Sequence, residues 1–169
     1  LYTQDGKVLK QDEVLSYPCV GEDHPGLRYF RSVRTTGRNE STVVALFSAK
    51  LLNTGTSYMK MWMPASSDVS YFTALAPSAK TASSPYQSKP SLVVTMRKEK
   101  PAVEEPFVVV YEPISDKLST GLIESVDRIK LDSLGKKGCA IKVKTKEGDT
   151  FTLVNILKDG PVILNNQKC

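Results

Sequence analysis

Apolar and polar residues alternate along this chain with the period of a β-strand far more often than with that of a helix. The clearest stretch is Ala140 to Lys146, where Ile141 and Val143 are interleaved with Lys142, Lys144 and Lys146. Successive strand side chains point to opposite faces, so the lysines share one face and the aliphatics the other. Glu147-Gly148-Asp149 reads as a turn and Thr150 to Val154 returns, which predicts a β-hairpin. Such one-sided alternation predicts an antiparallel sheet with one wet face. Val43 to Phe47, Tyr58 to Met63, Ser91 to Met96 and Phe107 to Tyr111 are short apolar runs rich in β-branched and aromatic residues, bounded in part by Pro64, Pro90, Pro106 and Pro113. They read as strands, the last two as buried ones. Trp62, between two methionines, reads as core. Leu118 to Ile129 fits a strand as well as a short helix, since Ile123, Val126 and Ile129 fall three apart. About ten or more short strands separated by turns predict an all-β fold, an antiparallel β-sandwich.

Length adds that the 169 residues form a single domain, 1–169, able to bury a core without staples. Residues 77–90, rich in Ser and Pro, read as a surface loop. A hydrophobic fraction of 40% and a charged fraction of 24% exclude disorder and fibrous classes. No apolar run approaches the ~20 residues a membrane span needs, so no membrane partner is expected. The chain opens on Leu1 without a signal sequence, which predicts a processed protein or a fragment of a larger one. Three separated cysteines, Cys19, Cys139 and Cys169, contain no Cys-x-x-Cys pair and so predict no structural zinc. The one histidine, His24, excludes a multi-histidine metal site and would have to serve any His-based triad. No Gly-rich nucleotide loop and no Gly-x-Ser-x-Gly elbow is present, and no cofactor is expected.

The net charge of +5 changes the picture only where it clusters. Arg28, Arg31, Arg34 and Arg38 fall in an acid-free stretch, and guanidinium forks suit carboxylate and sulfate groups. Regular alternation there would put Arg28 and Arg34 on one face and Arg31 on the other. The alternative is solvated arginines pairing with Glu22, Asp23 or Glu40. Tyr29 lies inside the same stretch, and exposed aromatics stack on sugar rings. His24, in Asp23-His24-Pro25-Gly26, sits in a turn with Asp23 placed to orient its ring. Arg28, Arg31, Arg34, Arg38, Tyr29 and His24 are therefore the candidate carbohydrate-binding residues, with no catalytic residue and no metal ligand assigned. Lys136, Lys137, Lys142, Lys144 and Lys146 read as a solvated sheet face. No RNA-binding aromatic motif, zinc-finger spacing or recognition helix accompanies them, so nucleic acid is not an expected partner. Asn39-Glu40-Ser41 matches the glycosylation sequon, a short and frequent motif.

Four segments carry a resemblance: Met59-Lys60-Met61-Trp62-Met63-Pro64, Ser91-Leu92-Val93-Val94-Thr95-Met96-Arg97, Pro106-Phe107-Val108-Val109-Val110-Tyr111-Glu112-Pro113 and Ile123-Glu124-Ser125-Val126-Asp127-Arg128-Ile129. In order and spacing, over roughly residues 27 to 157, they resemble the C-terminal β-sandwich region of heparinase II/III-like polysaccharide lyases. Members of that family join a catalytic α/α-toroid to a large antiparallel sandwich and cleave acidic polysaccharides by β-elimination. The resemblance implies a non-catalytic accessory sandwich, secreted or periplasmic. Its partner would be the catalytic domain of the same parent chain, with acidic polysaccharide as a further contact. Whether any catalysis resides here is left open by the sequence, since the toroid has no counterpart in it. Two other readings compete: a stand-alone carbohydrate-binding or adhesin-type sandwich, and a small enzyme built around His24.

Overall fold

The computed structural model describes residues 1–14, 29–51, 55–66, 68–77, 90–99, 102, 105–115, 121–129, 138–156, 163–164 and 167–168. Residues 78–89 of the Ser/Pro-rich loop lie outside the described residues, as do Cys19, His24, Arg28, Lys136, Lys137 and Cys169. Thirteen strands and no α-helix occur among the described residues, and every strand pairing in register is antiparallel. The fold is all-β, as the alternation predicts. Two compact units divide the chain: Leu1–Leu9, Asn39–Asp68 and Lys98–Cys169 form the first, Lys10–Arg38 and Val69–Arg97 the second.

The first unit is a sandwich of two sheets. One sheet has the order β1 (Tyr2–Thr3), β4 (Val43–Leu51), β5 (Gly55–Met63), β8 (Val110–Ile114). The other has the order β11 (Thr150–Ile156), β10 (Gly138–Thr145), β9 (Ile123–Ile129). Alternation decides which side chains meet between them. Val44 and Trp62 are opposite each other in the first sheet, and Val126 and Val143 are opposite each other in the second. With Ile141 these form one buried cluster, joined by Tyr2, Val108, Val110 and Ile123. Each such side chain contributes about 1.5–3 kcal/mol when taken from water. The Thr42 hydroxyl donates to the Val126 carbonyl at 2.8 Å and adds a polar tie from the start of β4 to β9. A separate two-stranded hairpin, β12 (Ile163–Leu164) with β13 (Gln167–Lys168), belongs to the same unit.

The predicted C-terminal hairpin is present in full register, Ile141 opposite Leu153 and Lys144 opposite Thr150. Gly148, with φ of 96°, makes the turn, where the Thr145 amide donates to the Asp149 carbonyl at 2.9 Å. Of the stretch Leu118 to Ile129, Ile123–Ile129 is strand β9, and residues 118–120 lie outside the described residues. The strand expected at Phe107 to Tyr111 lies three residues later, at Val110–Ile114. Pro113 sits inside it because β8 is the sheet edge, where a missing N–H costs no ladder bond.

The second unit contains a four-stranded sheet in the order β2 (Asp12–Glu13), β3 (Arg31–Arg38), β6 (Val69–Ala76), β7 (Ser91–Lys98). Val33, Phe72 and Ala74 form its own buried cluster, with Val14, Phe30 and Val93 packed against it.

Candidate functional site

The arginine segment forms strand β3, and Arg31, Arg34 and Arg38 are all exposed on it. Its pairing with β6 is irregular in two places. Arg31 is opposite Leu75 and Arg34 opposite Thr73, so three steps along β3 match two along β6. The extra residue makes a β-bulge, and Ser32 within it has a φ of 50°, in the left-handed region that L-residues seldom occupy. Opposed residues project to the same side, and Thr73 and Leu75, two apart, share that side. Arg31 and Arg34 therefore stand on one face, about 7 Å apart along the strand. This corrects the expectation from plain alternation, which turned Arg31 away from Arg34. The bulge is the physical reason.

A second bulge follows. Thr35 is opposite Phe72 and Arg38 opposite Ser70, which places Arg38 on the other face. The Gly37 amide donates to the Thr35 hydroxyl at 3.0 Å, and Gly37 takes a φ of 66°. Around the arginine pair, Glu13 of β2 is opposite Arg34. The Gln11 side-chain amide donates to the Thr73 hydroxyl at 2.9 Å. Tyr29, 41% exposed, lies two residues before Arg31. The face thus carries two guanidinium groups beside an amide, a hydroxyl and one carboxylate, the chemistry that binds oxyanions and sugar hydroxyls. His24 and Arg28, the two remaining candidates, lie outside the described residues.

The lysine face is different in kind. Lys142 is opposite Asp127 in the ladder and Lys144 opposite Ser125. Lys146 leaves that face altogether, its Nζ donating to the Gly121 carbonyl at 3.0 Å. This matches a solvated sheet surface with internal countercharge.

Two buried polar clusters escape a reading of the sequence. In the first, Glu112 on β8 is 6% exposed. Its Oε2 accepts the Trp62 indole N–H at 3.0 Å and its Oε1 accepts the Ile123 amide at 2.8 Å. Lys60 is opposite Glu112 in the ladder and holds its ammonium 5.8 Å from the centre of the Trp62 ring. Burial pushes the Lys60 pKa down against the pull of Glu112, with Lys146 adding to the fall. Burial pushes Tyr2 up, and the Glu112 charge adds to that rise. The sequence signal was a lone glutamate next to an apolar run in Val109-Val110-Tyr111-Glu112.

In the second cluster, Lys98, its side chain 2% exposed, pairs with Glu105 at 3.1 Å and Asp68 at 3.6 Å. Its ammonium also donates to the Glu105 carbonyl at 2.6 Å. Arg128 reaches Glu105 at 3.3 Å and the Pro106 carbonyl at 3.1 Å. The Ser66 hydroxyl donates to Asp68 at 2.8 Å and lies 3.0 Å from Glu105. Two cations and two carboxylates balance: Lys98 bridges Asp68 and Glu105, and Glu105 also holds Arg128, whose Nε is buried without a hydrogen-bond partner among the described residues. Such a network fixes loops and strands in place. Among the described residues no group of three or more His, Cys, Asp or Glu could hold a metal ion.

Over 116 residues, 67% of its length, the chain is 33% identical to an endo-acting ulvan lyase of Formosa agariphila. The match covers 14% of that enzyme, so the chain spans a small part of the relative. Over that stretch it is related to a polysaccharide lyase. No protein-family model matches the chain, and no solved structure matches it.

Proposed function

We propose that this chain is the non-catalytic β-sandwich accessory region of a heparinase-like polysaccharide lyase, secreted or periplasmic. It packs on a catalytic α/α-toroid of the same parent chain and contacts the anionic polysaccharide that the parent cleaves. The observation that carries the reading is the 33% identity to an endo-acting ulvan lyase over two thirds of the chain. The sandwich supports it, because the buried ionisable groups described here are engaged with one another and act as ties. Abstraction of a proton next to a uronate carboxylate needs a base in reach of substrate and a group that neutralises the carboxylate. Glu112, Lys98 and Asp68 are instead occupied inside the fold, and the half-buried Glu105 is held by Lys98 and Arg128.

The test is an unsaturated-uronate absorbance assay on the 169-residue chain with ulvan, alginate and heparin. A flat trace is the expected result, and sustained product formation would overturn the non-catalytic role. A second reading, a stand-alone carbohydrate-binding sandwich, is favoured by one observation: Arg31 and Arg34 share an exposed face with Gln11 and Thr73.

A further inference from the structure

We infer that Arg31 and Arg34 form an oxyanion-binding pair for a sulfate or carboxylate group on a polysaccharide, assembled by the bulge at Ser32. The inference rests on the proposed contact with acidic polysaccharide and locates it. A regular strand would scatter the arginines over both faces of the sheet. Bulges re-aim side chains, and a non-glycine residue held at positive φ points from strain to use. Here the strained residue is Ser32, at φ 50°, and its effect is to bring Arg31 onto the side of Arg34.

Both side chains are exposed, so each fork is accessible to a polymer. At about 7 Å between their positions the two can close on one oxyanion or span neighbouring groups along a chain. Gln11 and Thr73, hydrogen-bonded at 2.9 Å beside Arg34, supply donors and acceptors for ring hydroxyls. Among the described residues, Glu13 is the one acidic residue opposite either arginine, facing Arg34, and acts as an internal competitor. The lysine face lacks this arrangement, because Asp127 stands opposite Lys142 and Lys146 is turned to a backbone carbonyl.

Arg38 provides the control. It has the same charge on the same strand but lies on the opposite face. The experiment measures binding of the 169-residue chain to dextran sulfate, alginate and neutral dextran at low and physiological salt. Dextran sulfate isolates the sulfate source and alginate the carboxylate source. Saturable binding to at least one acidic polymer, weakened by salt, and none to neutral dextran is expected. Arg31→Ala/Arg34→Ala should weaken it about tenfold or more, the loss of bidentate charged contacts. Arg31→Lys/Arg34→Lys should recover only part, and Glu13→Gln should tighten binding. Arg38→Ala should stay within about twofold.

Circular dichroism on each variant separates lost contact from lost fold. Equal losses in Arg38→Ala and in the pair, or parental binding in the pair variant, would overturn the inference. So would the absence of binding by the parental chain to both acidic polymers. Absence of binding would also remove the proposed polysaccharide contact, whereas loss of the arginine dependence alone leaves that contact standing; the non-catalytic role fails separately, if the chain releases unsaturated uronate.

Discussion

Replacing Glu112 by Gln tests what holds the first unit together. The carboxylate is buried and accepts from two fixed donors on two different oxygens, the Trp62 indole and the Ile123 amide. Glutamine has one acceptor oxygen and one NH2, which only donates. Whichever way it turns, one fixed donor faces another donor. The change removes a charge-assisted bond of about 1.5–3 kcal/mol and leaves a buried N–H unpaired. It also removes the countercharge opposite Lys60. Because these effects overlap, the expected loss is about 3 kcal/mol, or roughly 6–12 °C in Tm for a chain of this size. That is a large share of an ordinary stability of about 5–15 kcal/mol.

Trp62 is the chain's one tryptophan, so its fluorescence during urea unfolding reads the event at the site. Trp62→Phe combined with Glu112→Gln should be less damaging than the sum of the single changes by about 1 kcal/mol. Stability of Glu112→Gln within about 0.5 kcal/mol of the parent would refute the reasoning, since surface changes alone do no more than that.

Lys98→Met should cost about 3–5 kcal/mol in urea unfolding, because it leaves the buried Asp68 carboxylate without its cation while Glu105 keeps Arg128. Tyr2 ionises less readily in the folded chain than in the unfolded one, so its contribution is present below pH 10 and is lost as pH rises through the raised folded value. Tyr2→Phe should flatten that part of the alkaline fall in Tm, measured from about pH 9 to about pH 11. Phe151, 53% exposed on β11, should tolerate Phe151→Thr with a change below about 0.5 kcal/mol by the same unfolding assay.

The strands that alternate were legible in the sequence because burial on one side forces the pattern. Ile141 to Lys144 shows this, with Ile141 and Val143 buried and Lys144 exposed, whereas the alternating return strand from Phe151 to Val154 is exposed on both faces. The pattern puts β8 three residues early because the run ahead of Val110 includes Val108, which is apolar for packing on the core rather than for pairing in the ladder. Pro113 looked like a stop and is instead an edge position paired with Met59. The charged clusters were illegible for a simpler reason: Asp68, Lys98, Glu105 and Arg128 are brought together from separate stretches of chain.

The arginine face was half legible. Charge density marked the segment, but the bulge that decides which arginines share a side occurs at Ser32, a residue with no preference that would announce it. A glycine or asparagine there would have been a signal. The boundaries between the two units fall after Leu9, Arg38, Asp68 and Arg97, where composition changes little.

The most direct test of the whole account puts the 169-residue chain and a sulfated or uronate polysaccharide in one sample and follows binding and unsaturated-uronate absorbance together. The account predicts saturable, salt-sensitive binding that Arg31→Ala/Arg34→Ala weakens about tenfold or more, with no absorbance gained over time. Rising absorbance from this chain alone, or binding indifferent to the arginine pair, would contradict it.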